Sequence, residues 1–220
     1  MTSIALYFEG GGDSRRSGQD LLRQGFNQLL ERQKKAAAAR RFFWRVVACG
    51  GRQQTYDAFV NAVTKKTADI VALVVDAEDP VIEPTPKGRV AHLEKRDGWE
   101  LKSVDASCVH LMTQCMEAWI VADPDKLTEY YGKDFNRNAL PKRIVLDEEP
   151  KKSLYNALEA ATKETQKGRY AKVRHASELL KRVRPEVVAK RCLSFHMLTQ
   201  WLDSVIAGQT TEESADLFGS

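Results

Sequence analysis

The stretch Ile70-Val71-Ala72-Leu73-Val74-Val75-Asp76-Ala77-Glu78-Asp79-Pro80 constrains the fold of this chain more than any other. Its apolar half shows neither a helical period nor polar alternation, and it is rich in valine. That is the pattern of a strand buried on both faces of a parallel sheet. The strand ends on Asp76, so its acids fall at the carboxyl edge of the sheet, where open α/β folds place their sites. Acids this close repel one another and need compensation. A hard divalent cation provides it through carboxylate oxygens. The other reading is that Asp76 caps a turn while Glu78 and Asp79 are solvated.

The segments on either side repeat the theme. Ser3 to Phe8 is a short apolar run that ends at Glu9, and Gly10-Gly11-Gly12-Asp13 follows. Leu21, Leu22, Phe26, Leu29 and Leu30 recur at helical spacing, which predicts a helix from about Gly18 to Arg41. Phe42 to Cys49 reads as a second strand, stopped by Gly50-Gly51, and the next helix carries Tyr56, Phe59, Val60 and Val63 on one face. A β-α-β-α-β order implies parallel strands joined by crossovers. After Pro80 the pattern is irregular, with a short amphipathic helix around Val90 to Leu93, a fourth strand at Val109 to Met112, and helices at Gln114 to Ala122 and Asp125 to Tyr131. Residues 135–150 read as a loop with an apolar clasp at Ile144 to Leu146. The C-terminal third predicts helices over Lys151–Thr165, Ala176–Val183 and Pro185–Ile206. The expected organisation is an α/β core over 1–125, a helical extension over 126–208 packed on it, and a flexible tail over 209–220.

Composition narrows the class. Hydrophobic content of 43% and charged content of 29% suit a globular protein. There is no apolar stretch of membrane-spanning length and no basic, cleavable leader, so a cytoplasmic location without membrane contact is expected. The four cysteines, Cys49, Cys108, Cys115 and Cys192, lack paired zinc spacing and read as buried thiols. The net charge of +4 is unevenly spread: Lys151 to Arg191 holds 12 Lys and Arg against 4 Glu, leaving the remainder at −4. That asymmetry suits a phosphate-bearing partner, or else solvated helix faces.

The glycine turn lets the backbone approach a ligand closely. No Gly-Lys-Ser/Thr follows it, so it is not a P-loop, and the spacing of a dinucleotide fingerprint fails. A strand ending in Glu9, a glycine turn with Asp13 four residues on, and a later strand ending in Asp76-Ala77-Glu78 together resemble the TOPRIM domain of topoisomerases, primases and overcoming-lysogenization-defect nucleases. The small single-domain members found beside defence ATPases, including RloB-like proteins, are the most similar. The segments Cys115 to Pro124 and Lys167 to Ala176 are similar to segments of those proteins, so the resemblance runs to about Leu202.

The resemblance implies a TOPRIM-like Rossmannoid parallel sheet flanked by helices. It implies a nuclease dependent on Mg²⁺ or Mn²⁺, acting on nucleic acid as the effector of an anti-phage system with an ABC-type or AAA-type ATPase partner; self-association stays open. It assigns Glu9 and Asp13 to one metal or to acid–base work, Asp76 and Glu78 to metal, Glu117 to the same shell, and Lys172 to charge stabilisation. Lys167, Arg169, Lys172, Arg174 and His175 become candidate nucleic-acid contacts. The family has Asp where Glu78 stands, and Asp79 is an alternative ligand.

Other readings attach to the same residues. Glu117 also suits a helix N-terminus. Trp119 reads as core, His110 as a satisfied interior histidine, and Tyr170 as a packing residue or a stacking platform. A haloacid-dehalogenase-like phosphatase needs Asp-x-Asp-x-Thr after the first strand, which is missing, and a receiver domain would be about half as long. A non-catalytic binding or regulatory subunit of an ATPase complex is the alternative from a different class.

Overall fold

The computed structural model describes residues 1–10 and 16–208. Four parallel strands form one sheet in the order β2-β1-β3-β4: β1 (Ser3–Phe8), β2 (Phe43–Ala48), β3 (Ile70–Asp76) and β4 (Val109–Met112). Strand β3 is buried along almost its whole length, as its unbroken apolar run requires. Its period of two survives in a different form, because successive side chains enter different cores. Ala72 and Val74 join Ile4, Leu6 and Phe8 of β1 on one face, and Val71, Leu73 and Val75 join Ala5 and Tyr7 on the other.

The helices divide between the two faces. Helices α1 (Arg16–Leu29) and α2 (Glu31–Ala39) connect β1 to β2 and pack on the first face. Helices α3 (Arg52–Thr64) and α4 (Pro86–Asp97) lead to β3 and β4 and pack on the second. The chain therefore leaves β1 in one direction along the sheet and leaves β3 in the other. The crevice between the carboxyl ends of β1 and β3 is the topological switch point of the fold.

The C-terminal helices complete the first face. Helices α5 (Glu117–Val121), α6 (Pro124–Tyr131), α7 (Lys151–Thr162), α8 (Lys172–Leu180), α9 (Pro185–Arg191) and α10 (Leu193–Ala207) contribute to the same hydrophobic cluster as α1 and the sheet. Trp119 lies at its centre, with Phe195 5.0 Å and Phe26 6.5 Å away between ring centroids, and its indole N–H donates to Ser194 Oγ at 3.2 Å.

Several boundaries differ from the sequence expectation. The first long helix breaks at Leu30. The last one breaks at Cys192, which lies between α9 and α10. Helix α4 is three turns rather than one: Thr85 caps it by accepting from the Gly88 N–H, Pro86 takes its first turn and Gly98 closes it at φ 69°. Helix α8 starts at Lys172 rather than Ala176. In the clasp, only Leu146 is buried, and Ile144 is 78% exposed. Asp13 and the tail expected at 209–220 lie outside the described residues. No helix among those described is long and apolar enough to cross a membrane.

Trp119 is fully buried, so Trp119→Ala should destabilise the fold by about 3–5 kcal/mol in chemical denaturation. Ile144→Ala, at an exposed position, should stay within about 0.5 kcal/mol.

Candidate functional site

The ladder between β1 and β3 pairs Phe8 with Val74, so the first residues past the strands meet at the switch point. The Asp76 N–H donates to Glu9 Oε2 at 3.1 Å. Beyond the strand, Glu78 sits at φ 69° with its N–H on the Gln114 carbonyl at 2.8 Å, and this turns its side chain back toward Asp76. Glu9, Asp76 and Glu78 each offer a carboxylate oxygen, and all three oxygens lie within 4.8 Å of one another. Hard cations such as Mg²⁺ prefer a donor set of this kind.

The glycines bring the neighbouring strand end close. Gly10 and Gly50 form a two-way backbone bridge, at 2.8 and 3.0 Å, between the ends of β1 and β2. Gly10 lies at φ 124°, and a Cβ there would meet Leu22 Cδ2 at 2.7 Å. The bridge sets Arg52, the first residue of α3, over Glu9. Arg52 donates to Glu9 Oε2 at 3.0 Å and to the Asp76 carbonyl, and forks onto Asp97 at 2.8 and 2.7 Å. Its guanidinium lies 5.0 Å from the centre of the Trp99 ring.

Two lysines close the cluster from the C-terminal helices. Lys151, at the start of α7, reaches Glu78 Oε1 at 2.5 Å and Asp76 Oδ2 at 3.7 Å. Lys172, at the start of α8, lies 3.3 Å from Asp76 Oδ2 and 3.8 Å from Glu117 Oε2. The second Asp76 oxygen accepts from the Met116 N–H at 2.8 Å. Burial works against both ammonium groups, but their carboxylate neighbours outweigh it and raise them above the ordinary lysine value. Much of the acidic repulsion is thus compensated by the protein itself.

Glu117 stands apart from the metal shell expected of it. It is fully buried behind Lys172, and Oε1 accepts from Tyr155 Oη at 2.8 Å and Tyr170 Oη at 3.0 Å. Burial and the Glu117 carboxyl push both tyrosines up, so they remain donors. Tyr170 is a packing residue of this network, 5% exposed, and not a free stacking platform. Asp79 points away and pairs with Arg96 at 3.2 Å.

Of the proposed nucleic-acid contacts, Lys167, Arg169 and Arg174 are exposed. Lys167 Nζ lies 4.9 Å from the Tyr130 ring centre. His175 is a correction. It is 2% exposed, its Nδ1 accepts from the Ala171 N–H at 3.1 Å, and it packs among Tyr130, Tyr131 and Tyr170, so it has no surface to offer a phosphate. His110 is buried as expected, but its Nε2 has no hydrogen-bond partner among the described residues. Sequence reasoning missed Arg52, Asp97, Lys151 and Tyr155. A signal existed for Arg52, which follows Gly50-Gly51 at a strand end.

The chain belongs to the family described as a domain of unknown function (DUF4276), which it matches over residues 9–203. The matched span begins at Glu9 and takes in all the site residues above. Neither the curated proteins nor the solved structures give a match.

The Glu9 carboxyl is raised from 4.5 to about 7, first by burial and then by the neighbouring Asp76, against the pull of Arg52 and Lys172. The folded state therefore holds this proton more tightly than the unfolded chain does. The contribution to stability is present below about 4.5 and is lost as pH rises toward about 7. In metal-free protein, carboxyl ¹³C shifts should show Glu9 titrating near 7, and Glu9→Gln should flatten the fall in melting temperature across that window.

Proposed function

We propose that this DUF4276 chain is a divalent-metal-dependent nuclease of TOPRIM type that hydrolyses phosphodiester bonds in DNA or RNA. The observation that carries the reading is the convergence of Glu9, Asp76 and Glu78 within 4.8 Å at the switch point of a parallel sheet. The donor set is all carboxylate oxygen, which fits Mg²⁺ or Mn²⁺. Lys151 now occupies Glu78, but its side chain is 27% exposed and has solvent to swing into. When bound, the ion would supply Lewis-acid stabilisation of the phosphate and an activated water.

The chain's own groups take the remaining roles. Glu9 spends Oε2 on Arg52 and on the Asp76 N–H, leaving Oε1 without a partner among the described residues to hold or release a proton. In the metal-free protein this carboxyl is raised to about 7, and a cation held by Glu9, Asp76 and Glu78 would favour its ionised form and release the proton. Lys172, anchored on Asp76 and backed by Glu117, presents a fixed positive charge to phosphate oxygens. Lys151, once displaced from Glu78, would add a mobile second charge. Lys167, Arg169 and Arg174 extend the positive surface around α8, which a nucleic-acid backbone would follow. A cytoplasmic effector role beside an ATPase rests on the resemblance to small TOPRIM proteins.

One observation favours a non-catalytic regulatory or binding subunit instead. Lys151, Lys172 and Arg52 already neutralise much of the acidic cluster without any ion. The two readings separate on cleavage of mixed nucleic acids with Mn²⁺ or Mg²⁺. The nuclease predicts cleavage that EDTA stops and that Glu9→Gln or Asp76→Asn lowers by about 100-fold or more. If both variants leave cleavage and cellular toxicity unchanged, the cluster is not a nuclease centre.

A further inference from the structure

A second feature lies along the outer edge of β4, away from the acidic cluster. A cavity of about 290 Å³ opens there between the segment 81–84, Arg89 of α4, the turn 145–148 and the start of α10. Arg89 is 6% exposed. Its Nε donates to the Val109 carbonyl at 2.6 Å and its Nη1 to the Pro84 carbonyl at 2.8 Å, while Nη2 has no acceptor among the described residues. No described carboxylate pairs with it, and burial alone pushes its guanidinium down to about 10. A buried cation without a counter-ion is unfavourable.

The acids in the cavity wall are already engaged. Asp147 accepts the Leu193 and Ser194 N–H groups at 2.7 and 3.0 Å, and Glu148 pairs with Arg143 at 2.6 Å. The unmatched charge is that of Arg89.

The rim is apolar. Among the described residues eight large hydrophobic side chains are exposed, and three of them line this cavity: Ile82 at 98%, Leu193 at 45% and Val145 at 39%. No described strand pairs with the outer side of β4, although its residues are buried. Met112 turns its carbonyl toward β3, where Ala77 N–H donates to it at 2.9 Å, so the alternate residues Val109 and Leu111 face outward. Arg89 covers Val109, and the Leu111 backbone groups stay without a partner among the described residues.

We propose that this edge is a docking site for an extended segment of a partner protein, which seats a carboxylate side chain against Arg89 and lays aliphatic side chains over Ile82, Val145 and Leu193. A small ligand filling the cavity would leave most of Ile82, 98% exposed, uncovered. A nucleic acid would meet an apolar rim and one buried cation rather than a basic surface. An acidic, aliphatic segment matches the unpaired cation and the apolar rim together.

The test uses full-length protein and pools of labelled hexapeptides with serine ends. One central position is fixed as Glu, Gln or Lys, and its flanks are drawn from Val, Ile and Leu. Fluorescence polarisation should show the Glu pools binding at least ten-fold tighter than the Gln and Lys pools. Leu193→Glu, at an exposed position, should weaken the Glu pools at least ten-fold with an unchanged melting temperature. Arg89→Met, where folded, should erase the preference for Glu over Gln. The proposal fails if Glu pools bind no tighter than Gln pools, or if Leu193→Glu leaves binding intact. It also fails if the wild-type chain is a dimer that Leu193→Glu converts to monomer, since the face would then be a self-interface.

Discussion

The ion pair between Lys172 and the buried carboxylate of Asp76 joins two parts of the chain that are 96 residues apart. Asp76 is 1% exposed, and a buried charge persists only where its partners are fixed in place. The fold supplies them from three directions: the Met116 N–H ahead of α5, Lys172 from α8 and Lys151 from α7. Each of these elements is held by the single hydrophobic cluster on the first face of the sheet. The helical extension is therefore part of the site as well as of the core.

Topology decides where this pair sits. The chain leaves β1 toward β2 and leaves β3 toward β4, so the gap between β1 and β3 at their carboxyl ends is the switch point of the sheet. Glu9 and Asp76 occupy that gap because each follows the buried part of its strand. Arg52 comes from the third strand end, brought over by the Gly10–Gly50 bridge. One sheet edge thus gathers Glu9, Asp76 and Glu78 with Arg52, Lys151 and Lys172, while Asp97 and Glu117 share Arg52 and Lys172 from behind. The balance is close enough that binding of a cation would be an exchange, with Lys151 giving up Glu78.

Much of this was legible in the sequence, and the limits have physical causes. An apolar run that stops at an acid announces both a buried strand and its edge, so β3 and Asp76 could be placed from residues 70–80. The same logic placed Glu9, while β4 was legible only as a short strand-like run at Val109 to Met112. Helix ends were harder, because the breaks at Leu30 and Cys192 carry no proline or glycine and arise from packing. Lys151 looks like an ordinary first-turn residue after Pro150, and only the packing of α7 brings it to Glu78. His175 sits in a basic stretch, yet the face of α8 that turns inward buries it. Charge clustering along a sequence does not say which face of a helix meets solvent.

The central claim is that the three carboxylates form a cation site that the lysines occupy in its absence. Titration of Mn²⁺ into metal-free protein, followed by the loss of its free electron-paramagnetic signal, tests this most directly. One saturable class of site is expected, lost in Asp76→Asn and strengthened in Lys151→Ala, where the competing ammonium is gone. Absence of saturable binding, or binding that Asp76→Asn leaves unchanged, would contradict it.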